Sequence, residues 1–357
     1  MSQPLLLIRD ESRLLGGERR KFPPEVVAEL VQAGYVVRVE DFKDHSFWSP
    51  ADYVAAGAKI VSSSDLYKKA ANESFSFVCM TQVKQTHISE LDAFAEGGFP
   101  MSSLIIYGFH HPSNHQNMVS YARSLEIALC SYDLLENSEG RWPILAQMSK
   151  IAGTRIADEA IREMFKTKGR VIADYVSGPR TKVLVVGLGV LGFECARRFS
   201  ALGADVVACD VSEKARELAG SIGARFVFAS DQAIFTEAVA SEIVVAAVRS
   251  RGEKAAKVIP EKLLKQLKPG TLVFDPSIDE GGATDWSEGR TIDYPWVSRE
   301  HLRLYCAANI PGSVPVDSSR LLAFEAKKFL LSGAQCRSRA EFIMHSAEIR
   351  SGMVFEI

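Results

Sequence analysis

Short apolar runs alternate with helical stretches through the second half of the chain. The runs read KVLVV, ADVVAC, EIVVAAV, TLVF and LRLYCAA. A strand that helices cover on both faces needs no polar side, so it reads as a continuous apolar run. This rhythm predicts a doubly wound parallel α/β domain, which we place at residues 141–316. A long helix precedes its first strand, and we expect that helix to begin at a Ser149 cap and to bury Ile156 and Phe165.

The first 140 residues also mix strands with helices. Between the first two strands, a helix is predicted to open at Pro23-Pro24 and to stop at Gly34. Proline suits the first turn of a helix and glycine suits its end. Apolar runs and alternating positions predict strands at residues 5–9, 35–40, 75–80 and 103–109.

The last apolar pattern is a helix, SRLLAFEAKKFLLSG, which is expected to stop at Gly333 before a polar tail. A single helix offers too little apolar surface to form a core of its own, so we expect it to pack on the first region. This gives a discontinuous domain of residues 1–140 and 317–357. The predicted fold class is therefore α/β, with two Rossmann-like domains and one of them inserted into the other.

Composition excludes some partners. The chain has 357 residues, which suits two domains, and its formal net charge is -2 with 24% charged residues. Basic and acidic residues are interspersed, so the chain lacks the basic stripe that nucleic acids or anionic membranes require. We therefore expect neither nucleic acid nor a membrane as a partner.

Cysteine usage and hydropathy point to a cytoplasmic protein. The six cysteines form no CxxC pair, so free thiols buried in a reducing compartment are expected rather than disulfides or a metal. The first residues carry charges directly after a short apolar run, unlike a secretory signal. No apolar run reaches the roughly 18 residues of a spanning helix.

A dinucleotide fingerprint follows the first strand of the second region. It reads Gly187-Leu188-Gly189-Val190-Leu191-Gly192 and opens a helix. In such a motif Gly187 permits a tight turn, Gly189 lets the backbone approach a pyrophosphate, and Gly192 lets the helix pack closely on the strand. The helix amino terminus supplies free N–H donors and partial positive charge for the phosphates.

The acidic residue of the fingerprint is Asp210, at the end of the next strand. A carboxylate roughly 20 residues after the glycines accepts hydrogen bonds from ribose hydroxyls and repels the extra phosphate of NADP. We therefore predict NAD as the cofactor and residues 141–316 as its binding domain. Two alternatives stay open: Asp210 could simply cap a turn, and Lys214 and Arg216 could hold a phosphate.

Longer motifs add a family resemblance. Residues 148–153 (MSKIAG), 274–282 (FDPSIDEGG) and 308–315 (ANIPGSVP) resemble the alanine dehydrogenase and pyridine nucleotide transhydrogenase superfamily, which includes lysine-forming saccharopine dehydrogenase and carboxyethylornithine synthase. The last two of these motifs are most similar to alanine dehydrogenase. In the first region, residues 18–24 (ERRKFPP), 53–61 (YVAAGAKIV) and 132–137 (YDLLEN) are more similar to the saccharopine branch. The choice between the branches stays open.

The resemblance implies hydride transfer between the nicotinamide and a carbon that bears an amine. It makes Arg19 the residue that binds a substrate carboxylate, for which a guanidinium is suited. It gives Lys84 contact with the substrate and a catalytic role; a lysine there binds a carboxylate or, with a lowered pKa, shuttles protons. The family places an acidic residue after this lysine, whereas this chain has Gln85.

The resemblance also supplies an acid–base candidate. His110 matches the catalytic histidine, and an imidazole titrates near neutrality. We place it ahead of its neighbour His111; His115 completes a spacing that would suit a metal, but a third acidic ligand is missing and no metal is expected. Asp279 is expected in catalysis and at the cofactor, where Val248 and Asn309 are further contacts.

The predicted function is NAD-dependent dehydrogenation of an amino acid, or of a secondary amine formed from an amino acid and a 2-oxo acid. The partners would be these small molecules, and a homo-oligomer is left open. Two other functions remain as alternatives: a catalytically inactive NAD(H)-binding sensor, and a subunit that resembles a transhydrogenase.

Overall fold

The computed structural model describes residues 2–10, 22–41, 47–82, 87–173, 178–249, 254–345 and 347–354. The chain divides into two compact units, one of Met1–Met148 with Val314–Ile357 and the other of Ser149–Ser313. The first unit is thus discontinuous in sequence. The sequence-based boundaries, 140/141 and 316/317, lie within eight residues of these two crossings.

The strands of the described residues form two sheets. In chain order they are β1 Gln3–Ile8, β2 Val36–Glu40, β3 Lys59–Val61, β4 Phe75–Thr81, β5 Leu104–Gly108, β6 Ala128–Ser131, β7 Lys182–Val186, β8 Asp205–Asp210, β9 Arg225–Phe228, β10 Ile243–Ala246, β11 Leu272–Phe274, β12 Trp296–Arg299 and β13 Leu302–Tyr305.

The α-helices alternate with these strands. In chain order they are α1 Pro24–Gln32, α2 Pro50–Ala55, α3 Ser63–Leu66, α4 Ile88–Glu96, α5 Gln116–Ser124, α6 Pro143–Lys168, α7 Val190–Ala201, α8 Glu213–Ser221, α9 Asp231–Ala240, α10 Glu261–Leu264, α11 Pro315–Gly333, α12 Arg339–His345 and α13 Ala347–Gly352.

Both sheets have the strand order of a dinucleotide-binding fold. The first unit has the order β3-β2-β1-β4-β5-β6, and all its pairs are parallel. The second has β12-β13-β11-β10-β7-β8-β9, in which only β12 pairs antiparallel, at one edge. In each sheet the chain first adds strands on one side of its first strand and then continues on the other side. This reversal lies between β1 and β4 in the first sheet and between β7 and β10 in the second. Ligands of open α/β sheets bind at the carboxyl ends of strands beside such reversals. The α/β prediction with two Rossmann-like domains is confirmed.

Helix α6 differs from its prediction. It begins at Pro143 rather than at Ser149, because proline at the first turn starts the helix and Ile144 and Met148 extend its buried stripe. Ser149 therefore lies inside the helix and does not cap it. Phe165 is also not a core residue, since it is 59% exposed, whereas Ile156 is fully buried.

The residues after α11 contribute to the core rather than forming a polar tail. Phe342 on α12 is fully buried and stacks on Phe77 of β4, with ring centroids 4.9 Å apart. A Cβ on Gly333 would lie 2.1 Å from that ring, so glycine at this helix end is required by packing. Helix α11 packs on α1, where the Tyr35 hydroxyl donates to the Leu330 carbonyl at 2.8 Å.

Arg339 anchors this carboxyl-terminal segment. Its buried guanidinium donates to the carbonyl oxygens of Leu104 at 3.3 Å and Glu126 at 2.6 Å. Arg339→Ala is expected to lower the free energy of unfolding by roughly 2–3 kcal/mol, because it leaves buried carbonyls without their charged donor. Urea denaturation would measure this, with Arg337→Ala as the control, since Arg337 is exposed. Equal stability of the two variants would contradict the anchoring role.

All six cysteines are buried and free, as the sequence predicts. Among the helices of the described residues, none combines the length and apolar character needed to cross a membrane.

Candidate active site

The glycine loop after β7 is set by close packing. Gly187 has a φ of 90°, and a Cβ there would lie 2.3 Å from the Ala247 carbonyl oxygen. A Cβ on Gly192 would lie 1.9 Å from the Gly187 carbonyl oxygen. Only glycine fits these two positions, which bring the start of α7 against the loop. A Cβ on Gly189, by contrast, would meet no heavy atom of the described residues within 4 Å.

The space at Gly189 fits a dinucleotide phosphate. Gly189 is the amino-terminal cap of α7, and no side chain caps its N–H groups among the described contacts. Free N–H donors at the start of a 12-residue helix attract an anion. Leu188, Val190 and Leu191 complete this loop, as the fingerprint predicts.

Asp210, the predicted ribose ligand, also braces the loop. One carboxylate oxygen accepts the Leu188 N–H at 2.6 Å, and the other accepts the Ser212 N–H at 2.8 Å. Each oxygen retains a second lone pair for a ribose hydroxyl. The capping role and the ribose role are therefore compatible.

One cation of the phosphate alternative already has partners. Arg216 pairs with Glu213, with Nε 2.9 Å from Oε1, and its guanidinium lies 4.7 Å from the centre of the Phe228 ring. Both side chains of the ion pair are more than half exposed, so the pair is weak and does not by itself exclude a 2′-phosphate. The preference for NAD rests on Asp210, whose carboxylate would repel that phosphate.

The other predicted cofactor contacts lie at the ends of neighbouring strands. Asp279, in a 3-10 turn at Ile278–Glu280, follows β11, and Asn309 follows β13. The Asn309 N–H donates to the Asp279 carboxylate at 3.3 Å, and the φ of Asn309 is 52°. Val248 follows β10, and its carbonyl accepts the Ser277 hydroxyl at 2.7 Å. The structure thus brings the three loops together at one edge of the sheet.

Gly153 supports the same loop and was not singled out as a site residue by sequence. It lies in α6, where a Cβ would be 2.4 Å from the Leu191 carbonyl oxygen. Helix α6 therefore approaches the first turn of α7 so closely that only glycine fits at position 153. The available signal was a glycine inside an otherwise apolar helical pattern.

In the first unit, Arg19 and Lys84 lie outside the described residues, so their predicted roles stay predictions. The structure describes the chain up to Gln82 and again from His87. Arg9, at the end of β1, pairs with Glu90 of α4 at 2.6 Å and donates to Gln82 at 3.2 Å. These contacts fix both sides of the segment that carries Lys84. They also place Arg9, which the sequence argument missed, at the β1–β4 reversal.

His110 is part of the core. Its side chain is fully buried, and Nε2 lies 3.1 Å from the Ile106 carbonyl oxygen. A carbonyl only accepts, so Nε2 carries the proton and Nδ1 is the basic nitrogen. Within the described residues Nδ1 has no hydrogen-bond partner. Burial lowers the pKa of His110 to about 4, so it is neutral at pH 7.

His111, the neighbour ranked second from sequence, has different surroundings. Its φ of 42° is in the left-handed region, which is uncommon for a residue with a side chain. Its Nδ1 lies 3.8 Å from a carboxylate oxygen of Asp133, and its side chain is 15% exposed. The Asp133 carboxylate is 3% exposed and accepts the Ser131 hydroxyl. A partly exposed imidazole beside a buried carboxylate is suited to proton exchange.

Asp133 is the third residue that the sequence argument did not name as a site residue. It was noted only within a motif of the first region. It comes just after β6, and the histidines follow β5, the adjacent parallel strand. An acidic residue at the carboxyl end of the strand beside a candidate base was the signal that could have identified it.

The buried His110 makes stability depend on pH. A folded-state pKa of about 4, against 6.5 for the unfolded chain, means that the unfolded chain binds the proton more readily. Stability is therefore complete above pH 6.5 and falls as the pH drops toward 4. His110 is expected to contribute about 2 kcal/mol of this loss by pH 5. Urea denaturation at pH 7.5 and pH 5 measures it. His110→Gln should lack this part of the pH dependence; an unchanged dependence would contradict the neutral buried state.

Within the described ranges, no group of three or more histidine, cysteine or acidic side chains is arranged to hold a metal ion.

Comparison with known proteins gives a family. The model for the N-terminal domain of alanine dehydrogenase/PNT matches residues 7–152, and the model for the C-terminal domain matches residues 155–356. Alanine dehydrogenase from Mycobacterium tuberculosis is 28% identical over 328 residues, covering 88% of this chain and 85% of that protein. Alanine dehydrogenase 2 from Staphylococcus aureus is 27% identical over 307 residues, covering 84% and 79%.

Solved structures agree in fold. An L-alanine dehydrogenase superposes with a TM-score of 0.82 at 21% identity, over 99% of this chain and 95% of the other. A transhydrogenase from Sinorhizobium meliloti superposes with a TM-score of 0.78 at 21% identity, over 95% of each chain. Since the two domain models together span nearly the whole sequence, the chain belongs to the alanine dehydrogenase/PNT family.

Proposed function

We propose that this protein is an NAD-dependent oxidoreductase that acts on the carbon–nitrogen bond of an amino acid. The match of both domain models of one family carries the proposal. The class is supported by the alanine dehydrogenases among its relatives. The fit of the nucleotide loop to a dinucleotide supports it independently.

The cofactor would lie along the carboxyl edge of the second sheet. Its pyrophosphate would pass over Gly189 at the amino terminus of α7, and Asp210 would accept the ribose hydroxyls. Val248, Asp279 and Asn309 would line the nicotinamide side. When bound, NAD accepts or returns a hydride; the protein orients the groups and exchanges protons.

Proton exchange falls to the histidines after β5. The sequence predicts His110, whereas the contacts favour His111. The Nδ1 of His111 lies 3.8 Å from the Asp133 carboxylate, and the partial exposure of that imidazole lets it reach a substrate amine or hydroxyl. Burial lowers the pKa of His110 to about 4, and its Nε2 lies 3.1 Å from the Ile106 carbonyl oxygen. We propose His111 as the group that exchanges the proton and His110 as part of the wall behind it.

Substrate binding rests on residues proposed from the sequence. Arg19 and Lys84 would bind the substrate carboxylate, and Asp279 would orient the reacting groups. The named relatives favour ammonia as the amine, which gives an alanine-dehydrogenase-like reaction between a 2-oxo acid and an amino acid. A second amino acid as the amine, giving a saccharopine- or opine-like product, is the alternative suggested by the motifs of the first region.

The test is NADH oxidation with a panel of 2-oxo acids, each with ammonia and separately with lysine, ornithine, arginine or glutamate. We expect a rate that depends on ammonia and is lower with NADPH. A rate that requires a second amino acid would establish the alternative. NADH binding without turnover would support the sensor function, and reduction of an NADP analogue by NADH would support transhydrogenation.

A further inference from the structure

The loop after β11 is organised by a buried carboxylate that has no assigned role. Asp275 has no exposed surface. One of its oxygens accepts the Ser277 N–H at 3.0 Å. The other accepts the N–H groups of Ala283 at 2.7 Å and Thr284 at 3.0 Å, and also the Ser287 hydroxyl. The carboxylate thus joins the beginning of the loop to its end.

Asp279 lies between these two fixed points. Past it the chain turns through Gly281 and Gly282, with φ of 90° and 76°. Lys257 holds the outer side of this turn, because its ammonium donates to the carbonyls of Gly281 and Thr284, each at 2.9 Å. With its flanks held on both sides, the 3-10 turn that carries Asp279 has little freedom to shift.

Asp275 is also linked through Ser277 to Val248, a proposed cofactor contact that follows the neighbouring strand β10. The Ser277 N–H is bound by Asp275, and the Ser277 hydroxyl donates to the Val248 carbonyl at 2.7 Å. Moving Ser277 would therefore displace both Val248 and Asp279. These are two of the groups that the proposed function places beside the nicotinamide.

We propose that Asp275 is a positioning residue, which acts on the reaction through Asp279 without touching the substrate or cofactor. This rests on the proposed function of the site. The side chain of asparagine has one oxygen that accepts and one NH2 group that donates. Whichever way this amide is oriented at position 275, its NH2 group would face N–H donors that now bind a carboxylate oxygen. Donors facing donors would push the loop apart, and a shift of about 1 Å at a reacting group costs roughly 100-fold in rate.

The test is a double-mutant cycle in the assay above, with NADH affinity measured in parallel. Asp275→Asn is expected to lower kcat by roughly 100-fold while the Kd for NADH changes by less than about fivefold. In an Asp279→Asn background the same change should cost less than about threefold, because the group being positioned is already gone. Equal losses in the two backgrounds would overturn the proposal.

Ser287→Ala covers the case in which Asp275→Asn does not fold. It removes one donor from Asp275 and keeps the carboxylate, so we expect a kcat reduction of roughly threefold to tenfold that also disappears in the Asp279→Asn background. A loss that persists there would count against the proposal.

Hydrogen exchange separates this proposal from the proposed function. If the wild-type protein is inactive on the whole panel, the function fails, yet positioning still predicts faster amide exchange across residues 277–284 in Asp275→Asn or Ser287→Ala. Unchanged exchange in that segment would overturn the positioning role whatever the activity.

Discussion

His111→Asn is expected to lower kcat by about 10²- to 10⁴-fold, the usual contribution of a general acid–base group. Asparagine tolerates the left-handed backbone at this position, where φ is 42°, so the fold should be retained. The binding of NADH should change little, since the loop that holds it belongs to the other sheet. Steady-state kinetics with the active pair of substrates, together with NADH titration, would measure both quantities.

His110→Gln is the matched comparison for this result. It removes an imidazole that is buried and neutral, so a loss of stability is expected together with a smaller loss of kcat. The reverse order, with His110 essential and His111 dispensable, would support the sequence-based choice and contradict the argument from contacts. Asp133→Asn should also lower kcat, because it removes the carboxylate that lies 3.8 Å from the Nδ1 of His111.

Gly192→Ala is expected to have the second large effect. The new Cβ would lie 1.9 Å from the Gly187 carbonyl oxygen, so helix α7 must move or the loop must open. We expect the free energy of unfolding to fall by about 3 kcal/mol and NADH binding to be lost. Thermal or urea denaturation, with NADH titration by fluorescence, would measure both. Wild-type stability together with wild-type affinity would refute the packing argument.

Gly189→Ala provides the control three residues away. Its Cβ would meet nothing within 4 Å among the described residues, and its φ of -66° suits any residue. Stability should change by less than about 1 kcal/mol, while the Kd for NADH should rise at least about tenfold, because the methyl group occupies the path of the pyrophosphate. Unchanged affinity would mean that the phosphates do not pass over Gly189.

The fold could be predicted wherever the hydrophobic pattern of a segment matches its burial in the folded chain. The continuous apolar runs of β7, β8, β10, β11 and β13 are read directly from the sequence, because strands covered on both faces have no polar alternative. The edge strands β12 and β9 were missed: β12 (WVSR) carries no such run, whereas the short apolar run of β9 (RFVF) was overlooked. The start of α6 was placed six residues late because Ser149 looked like a cap, although Pro143 already opened the helix.

For the cofactor loop, the sequence predicted individual residues as well as the fold class. The spacing of the fingerprint predicted Gly187, Gly189, Gly192 and Asp210 without any knowledge of the packing. The structure added which of them are fixed by packing and which faces open space. It also showed that the Arg216 guanidinium lies over the Phe228 ring, a contact that residue order does not reveal.

Our proposed choice between the two histidines rests on tertiary structure. Two adjacent histidines have the same intrinsic chemistry, and the family resemblance selected His110. Adjacent residues at the end of a strand point in different directions, so one imidazole entered the core while the other came to lie beside Asp133 on the next strand. The order of residues therefore determined the fold and the dinucleotide loop. The pairing of β5 with β6 determined which histidine lies beside the Asp133 carboxylate, because such long-range contacts exist only once the sheet has formed.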